Sequence, residues 1–338
     1  MAYLITGATG FLGRHLLTAL QQSAPSTQHC VLVRRAESWA QCPFAATLGA
    51  VHVIEGSLTD PTAWQDDPRL KGIDGIFHLA AMVQHSRHDA APVYAANVAG
   101  TCHLVGVAAH HGVRLVYVST SGTVGVFDRA TDSADEHAPL CEAKVRQWPY
   151  YHSKVQAEQQ ATALAKTLGV EMVTVRPPMM LGPGDHRFRA TGQVVRFLRG
   201  RLPFVVDGGI HYVDIRDAAT AMTAAMLHPK PRAIYNLPGT ACSIVKFFKD
   251  VGAVANRRPP ALRLPYKAAW GAAALSAWVS RQTGYPAFFP DPVVSEMAAH
   301  YWGVHSHYAA DELQFVSRAG RETLGDTVAW IRAHRADC

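Results

Sequence analysis

The stretch Tyr3-Leu-Ile-Thr6-Gly7-Ala-Thr-Gly10-Phe-Leu-Gly13 decides the fold. Tyr3–Thr6 is a short apolar run with the texture of a strand, and Phe11–Gln22 continues with helical periodicity. Three glycines spaced three apart lie between and just inside them. Gly7 suits a tight turn, Gly10 brings the backbone close to a ligand, and Gly13 lets the helix pack closely on the strand. Outward from this unit, Cys30–Val33, Val51–Ile54, Gly75–Leu79, Leu115–Ser119 and Met172–Arg176 read as further strands. Helix-period segments such as Val93–His111 and Val155–Leu168 separate them. This alternation predicts an α/β fold of Rossmann type, a doubly wound parallel sheet covered on both faces. Right-handed crossovers then gather the C-terminal ends of the strands, and any ligand, along one edge.

After Arg176 the texture changes. Pro177-Pro-Met-Met-Leu-Gly-Pro-Gly-Asp185 is too rich in Pro and Gly for regular structure and reads as a loop. Helices are predicted at Ala190–Arg199 and Ile215–Leu227, and a strand-like run at Ala233–Leu237 precedes a mainly helical last third. The expected plan is a nucleotide-binding domain of residues 1–178 and about 210–232. A smaller, interleaved, mainly helical substrate lobe takes about 179–209 and 233–338.

The 338 residues are 49% hydrophobic and 17% charged, the balance of a globular chain with a large core. The net charge of +6 is scattered. Its densest run, Arg257 to Arg263, is short and carries prolines, so no nucleic-acid partner is expected. The six cysteines form no C-x-x-C pair, which points to a reducing, cytoplasmic setting. A first strand at Tyr3 leaves no room for a signal peptide. The apolar run Ala268–Val279, bounded by Lys267 and Arg281, is shorter than the ~20 residues a membrane span needs. No integral membrane segment is expected; the run reads as a buried helix, with a membrane-surface helix as the alternative. His85, His88, His305 and His307 lack a carboxylate or cysteine spaced to complete a set, so no metal is expected.

A glycine turn between a first strand and a first helix fits a dinucleotide, with its pyrophosphate at the helix N-terminus. Gly7, Thr9, Gly10, Phe11 and Leu12 are the candidate contacts. The end of the second strand should select the cofactor, because an acidic residue there holds the 2′-hydroxyl of NAD. Here Val33-Arg34-Arg35 stands instead, and Arg34 can take a 2′-phosphate through two charge-assisted bonds. NADP(H) is the expected cofactor.

Tyr150-Tyr-His-Ser-Lys154 follows Pro149 at the start of a helical segment. Residues four apart share a face, so Tyr150 and Lys154 point together while Tyr151 is rotated about 100° away. A nearby ammonium favours the phenolate, which predicts a lowered pKa for Tyr150 and a role in proton transfer at a carbonyl. The fifth strand ends in Val118-Ser-Thr-Ser121-Gly-Thr123. Ser121 is the candidate for polarising that carbonyl. Thr120 and Thr123 are alternatives, either of which could instead cap the turn.

These pieces together resemble the extended short-chain dehydrogenases/reductases, over essentially the whole chain. Phe77-His-Leu-Ala-Ala81, Asn97-Val-Ala-Gly-Thr101, Val116–Ser121, the Arg176–Asp185 segment and Val213–Ala218 extend the match. The looser C-terminal layout is most similar to dihydroflavonol-reductase-like and 3β-hydroxysteroid-dehydrogenase-like members. The resemblance implies that Leu79, Ala80 and Ala81 line the cofactor, that Lys154 also binds the nicotinamide ribose, and that Pro177 begins the loop against the nicotinamide. It makes Asn97 a supporting residue and implies a homodimer through the two helices beside the site. Gly56-Ser57-Leu58 stands where relatives commonly have Gly-Asp-Leu; Ser57 can still bond an adenine amino group, with Leu58 beside it. Asp214 stands where such relatives often carry His.

The implied reaction is reversible NADPH-dependent reduction of a hydrophobic ketone, β-keto or aldehyde substrate. Ser121 would hold the carbonyl, Tyr150 would act as general acid/base, and Lys154 would tune it. Met82, Val83, Met179, Met180 and Phe188 are the expected apolar wall. Two rivals stay open. A nucleotide-sugar 4-epimerase would need a second phosphate site at Arg187, Arg189 or Arg196. A non-catalytic NADP(H) sensor or scaffold would need the glycine loop but not the tyrosine–lysine pair.

Overall fold

The computed structural model describes residues 1–284 and 292–338. Seven parallel strands form the main sheet: β1 (Tyr3–Thr6), β2 (His29–Val33), β3 (Val51–Glu55), β4 (Gly75–His78), β5 (Arg114–Val118), β6 (Met172–Arg176) and β7 (Ile234–Asn236). Their order is β7-β6-β5-β4-β1-β2-β3, with the chain reversing direction of growth between β1 and β4. Such a switch point opens a crevice at the C-terminal strand ends. The longer helices are α1 (Phe11–Ser23), α2 (Gly100–His111), α3 (Pro149–Leu168), α4 (Gly192–Leu198), α5 (Ile215–Leu227), α6 (Ile244–Ala255), α7 (Tyr266–Thr283) and α8 (Gly320–His334).

The strands are apolar on both sides because both faces are covered. On one face α1 and α5 pack over Tyr3, Ile5, Val31, Phe77, Val116 and Val175. The apolar residues Leu12, Leu16, Leu17 and Leu20 of α1 fall at helical spacing and are buried there. On the other face α2 and α3 cover Leu4, Leu32, Ile76, Leu115 and Tyr117.

Two expectations are corrected. Ile234–Asn236, assigned by sequence to the substrate lobe, pairs parallel with β6 as the edge strand of the main sheet. The chain therefore returns to the first domain after α5. The second lobe is mixed rather than mainly helical. Within the stretch read as loop, Met179–Leu181 pairs parallel with Gly209–Asp214, which pairs antiparallel with Thr240–Ser243. The proline and glycine signals flank this three-residue strand and mask it.

Leu17 is fully buried between α1 and the sheet. Leu17→Ala should lower the free energy of unfolding by about 2–5 kcal/mol in denaturant titrations. A loss under about 0.5 kcal/mol, the range of surface changes, would contradict this packing.

Candidate active site

The glycine turn is held by close backbone approaches. Gly7 has φ +74°, and a Cβ on it would stand 2.6 Å from the Ala80 amide nitrogen. A Cβ on Gly13 would stand 2.4 Å from the Gly7 carbonyl oxygen. Leu79 N–H donates to Thr6 O at 3.2 Å, which ties the end of β4 to the turn. Gly10 precedes α1, and no side chain caps this helix N-terminus. Its first-turn amides are thus left for another partner, as an anion site requires. Phe11 is half-buried, whereas Leu12 is buried in the core below the turn. Arg34 is exposed at the end of β2. A carboxylate from the neighbouring strand reaches this turn: Glu55 Oε2 accepts from Ala36 N–H at 2.8 Å. Ser57 Oγ is shared with Thr59 Oγ1 at 2.8 Å, so its expected link to an adenine competes with a local turn. Leu58 packs beside Gly100 at the start of α2.

At the end of β5 the chain makes a short 3₁₀ turn, Ser121–Thr123. Ser121 N–H donates to Pro177 O at 2.8 Å, joining the two residues that the sequence placed near the nicotinamide. Thr120 Oγ1 accepts from Gly122 N–H at 3.2 Å, and Thr123 Oγ1 donates to Thr120 O at 2.9 Å. Both alternative hydroxyls are thereby engaged in the turn. Thr123 Oγ1 also lies 2.8 Å from Glu158 Oε1, so its one proton is shared between the two acceptors, and Ser119 donates to the same carboxylate oxygen. Arg176 at the end of β6 completes the group, its Nε 3.0 Å from Glu158 Oε2. Both partners are almost wholly buried.

Pro149 occupies the first turn of α3, and Lys154 follows one turn later, buried, donating from Nζ to Val118 O at 2.7 Å. Burial pulls the Lys154 pKa down to about 7, against the opposing pull of Glu158. Burial pushes Tyr150 up to about 12. The lowering expected from Lys154 is not found in the protein alone, because desolvation of the phenolate dominates. Tyr150 and Tyr151 have ring centroids 5.1 Å apart, and His85 lies beside both, at 6.2 and 6.4 Å. From sequence His85 reads as a surface or pocket histidine rather than a metal ligand, and it stands against these two rings.

A π-turn at Ala95–Ala99 interrupts the segment read as one helix and points Asn97 inward. Asn97 Oδ1 accepts from Met82 N–H at 2.8 Å, while its Nδ2 donates to Met82 O at 3.0 Å and Ser153 Oγ at 2.9 Å. Ser153 donates to Tyr150 O at 2.7 Å. Asn97 therefore pins the loop after β4 to the first turn of α3.

A cleft of about 270 Å³ reaches Thr120, Ser121 and Tyr151. Tyr151 contacts the 3₁₀ turn; a Cβ on Gly122 would be 2.4 Å from its ring. Tyr150, half-buried with its ring centroid 5.1 Å from that of Tyr151, does not line the cleft. Of the five residues expected to form the apolar wall, Met179 alone lines it. Met82 and Val83 face solvent, Met180 packs on the sheet core, and Phe188 packs in the second lobe against Trp330. The wall comes from α4, the strand Phe204–Val206, Phe247 and Phe248 of α6, Ala269 and Ala273 of α7, and Trp302. Arg196, Arg201 and His211 supply polar points, and burial holds His211 neutral with a pKa near 4. Arg187 and Arg189 do not line the cleft.

Asp214 has a structural explanation. It caps α5 by accepting from Arg216 N–H at 2.9 Å, and it binds Thr323 Oγ1 of α8 at 3.0 Å. A carboxylate does stand beside the C-terminal histidines: Asp135 Oδ2 lies 3.3 Å from His307 Nε2, while His305 Nδ1 meets Ser133 Oγ at 3.1 Å. These contacts account for the group, and none of its members lines the cleft.

Removing the Glu158 charge should leave Arg176 buried and unpaired. Glu158→Gln should cost about 3–5 kcal/mol in unfolding experiments. Because Glu158 supports the ammonium, the variant should also titrate Lys154 below about 7 by NMR. The folded protein holds this proton less tightly than the unfolded chain. The resulting penalty is complete below about pH 7 and fades as pH rises toward 10.5. An unchanged Lys154 titration would contradict the coupling.

Residues 3–237 match the family described as NAD dependent epimerase/dehydratase family. The chain is 26% identical to a putative dihydroflavonol 4-reductase of Synechocystis sp., over 98% of this chain and 95% of that protein. It is 28% identical to sterol demethylase protein B of Methylococcus capsulatus, over 98% of each. It is 32% identical to a 2-alkyl-3-oxoalkanoate reductase of Stenotrophomonas maltophilia, over 75% of this chain and 71% of that protein. The crystal structure of gox2253 superposes with a TM-score of 0.79 at 28% identity, over 98% of both chains. The chain belongs to the NAD dependent epimerase/dehydratase family, the extended short-chain dehydrogenases/reductases that its motifs resemble.

Proposed function

We propose that the protein is an NADP(H)-dependent reductase of a hydrophobic ketone, β-keto compound or aldehyde. The observation that carries this reading is the apolar cleft that ends on Ser121 and Tyr151, just past the strand end where Val118 O accepts from the buried Lys154. Aromatic and aliphatic walls with few polar points favour an apolar molecule held by one carbonyl. Relatives named as reductases of a dihydroflavonol and of a 2-alkyl-3-oxoalkanoate support the same direction.

The residues present fit a dinucleotide. The close approach of Gly7 to Ala80 leaves no room for a side chain, and the uncapped start of α1 suits a phosphate. Gly7, Thr9, Gly10 and Phe11 would hold the pyrophosphate side. Ser57 and Leu58 would take the adenine, and Leu79, Ala80, Ala81 and Pro177 the remainder. Arg34 would take the 2′-phosphate, since it is exposed and no acid lies between Val33 and Ala36. When bound, the reduced nicotinamide supplies a hydride.

The chain's own groups handle the oxygen. Ser121 donates a hydrogen bond to the carbonyl oxygen, which favours the charge that develops there. Tyr150 is protonated at neutral pH because burial raises its pKa, so it enters a reduction as the proton donor. Lys154 orients the site from the floor and, when charged, offsets the phenolate left behind. In a homodimer, α2 and α3 would form the shared face.

The second reading, a nucleotide-sugar 4-epimerase, draws on Arg196 and Arg201 at the cleft, where a phosphate could rest. A panel of hydrophobic ketones, β-keto acids and nucleotide sugars, followed by NADPH oxidation, separates the two. Turnover of sugars alone, without net NADPH consumption, would favour the epimerase. Tyr150→Phe should abolish turnover with NADPH binding nearly intact, whereas Tyr151→Phe should retain it. Arg34→Asp should weaken NADPH binding about 10- to 100-fold relative to NADH, the worth of a charged bidentate contact. An unchanged preference would reject Arg34.

A further inference from the structure

The helix α7, read from sequence as buried, is largely exposed. Only Ala269 and Ala273 are buried among its eighteen residues. Leu275 is 62% exposed, Trp278 54% and Val279 42%, with Tyr266 and Trp270 also open to solvent. Leu275, Trp278 and Val279 stand at i, i+3 and i+4, one continuous stripe. Ala269 and Ala273, four apart, face the other way and line the apolar cleft. One helix thus has an apolar inner face on the cleft and an apolar outer face on solvent. Each large side chain left in water forgoes about 1.5–3 kcal/mol, so the outer stripe implies a partner.

Charge identifies that partner. From Val251 to Pro290 the sequence has no Asp or Glu, while Arg257, Arg258, Arg263, Lys267 and Arg281 supply five positive charges. All five are exposed, and Lys267 and Arg281 bracket the stripe. A carboxylate does stand against α7: Glu296 accepts from Trp270 Nε1 at 3.0 Å and is itself paired with Arg87. An apolar stripe carrying a tryptophan and bracketed by cations is the pattern of a helix lying in a lipid interface. A second copy fits less well. Eighteen residues make a strip about 27 Å long and about 10 Å wide, well short of the ~800 Å² per partner of a stable interface. Among the described residues no helix is long and apolar enough to cross a membrane.

We propose that α7 docks the protein on an anionic lipid surface, with Leu275, Trp278 and Val279 at the acyl boundary and Lys267 and Arg281 among the headgroups. The cleft then lies one helix thickness, about 10 Å, from the lipid. That placement suits the hydrophobic substrate proposed above, but the docking does not rest on that reading and is measured without turnover.

The full chain should co-sediment with vesicles of phosphatidylcholine containing about one-third phosphatidylglycerol, and much less with phosphatidylcholine alone. Raising salt to about 0.5 M should weaken the binding. The double change Leu275→Glu and Trp278→Glu should lower it about tenfold or more, with the circular dichroism spectrum and melting curve unchanged. Leu275→Ser, a milder change, should weaken it in the same direction if the double variant folds poorly. No binding to anionic vesicles, or binding untouched by these variants, would overturn the proposal. So would a self-association in sedimentation velocity that the variants abolish while lipid binding is absent.

Discussion

The buried pair of Glu158 and Arg176 is the interaction around which the site is assembled. It crosses from α3 to the end of β6, and its carboxylate also collects the hydroxyls of Ser119 and Thr123 from the end of β5. Three elements of the candidate site are thus tied through one charge. A buried ion pair gains little net stability over an apolar replacement, because desolvation offsets most of its attraction. Its consequence is geometric and electrostatic. Glu158 lies one helical turn beyond Lys154, so the group that fixes the strand ends also supports the ammonium in the floor of the site.

A second set of constraints is made of backbone. Gly7, Gly13 and the Leu79–Ala80 segment approach so closely that side chains are excluded. The loop after β4 is then carried to α3 by Asn97, which the π-turn directs inward. Glycine turn, β4 loop and α3 are therefore joined by backbone contact and hydrogen bonds into one connected frame.

The legible parts were those set by short-range rules. The first six strands were readable within a residue or so because doubly covered strands are uniformly apolar, and α1 and α5 because their apolar periods are regular. The glycine turn was readable because each glycine answers a local steric demand. What depends on distant partners was not. Nothing in Ile234–Asn236 states that it will lie beside β6, and Met179–Leu181 is too short to stand out from its prolines and glycines. The π-turn leaves no period to detect. The cleft wall draws on segments scattered from 179 to 302, so the nearest apolar residues in sequence, Met82 and Val83, were the wrong ones. The pKa of Tyr150 was misjudged for a related reason: helix spacing reveals the neighbouring ammonium but not the depth of burial.

The division of labour between lobes follows from how each is fixed. Strand ends and α3 hold the candidate residues Ser121, Tyr150 and Lys154, and their positions are set by buried hydrogen bonds and by the sheet. The cleft walls stand on shorter elements locked by polar caps. Asp185 accepts from Thr191 N–H at 2.9 Å and Oγ1 at 3.0 Å before α4, which lines the cleft. Behind the wall, Asp214 caps α5 through Arg216 and ties it, through Thr323, to α8. On the function proposed above, substitution at Phe204, Phe247 or Trp302 would reshape the cleft, whereas a change at Glu158 would reach Lys154.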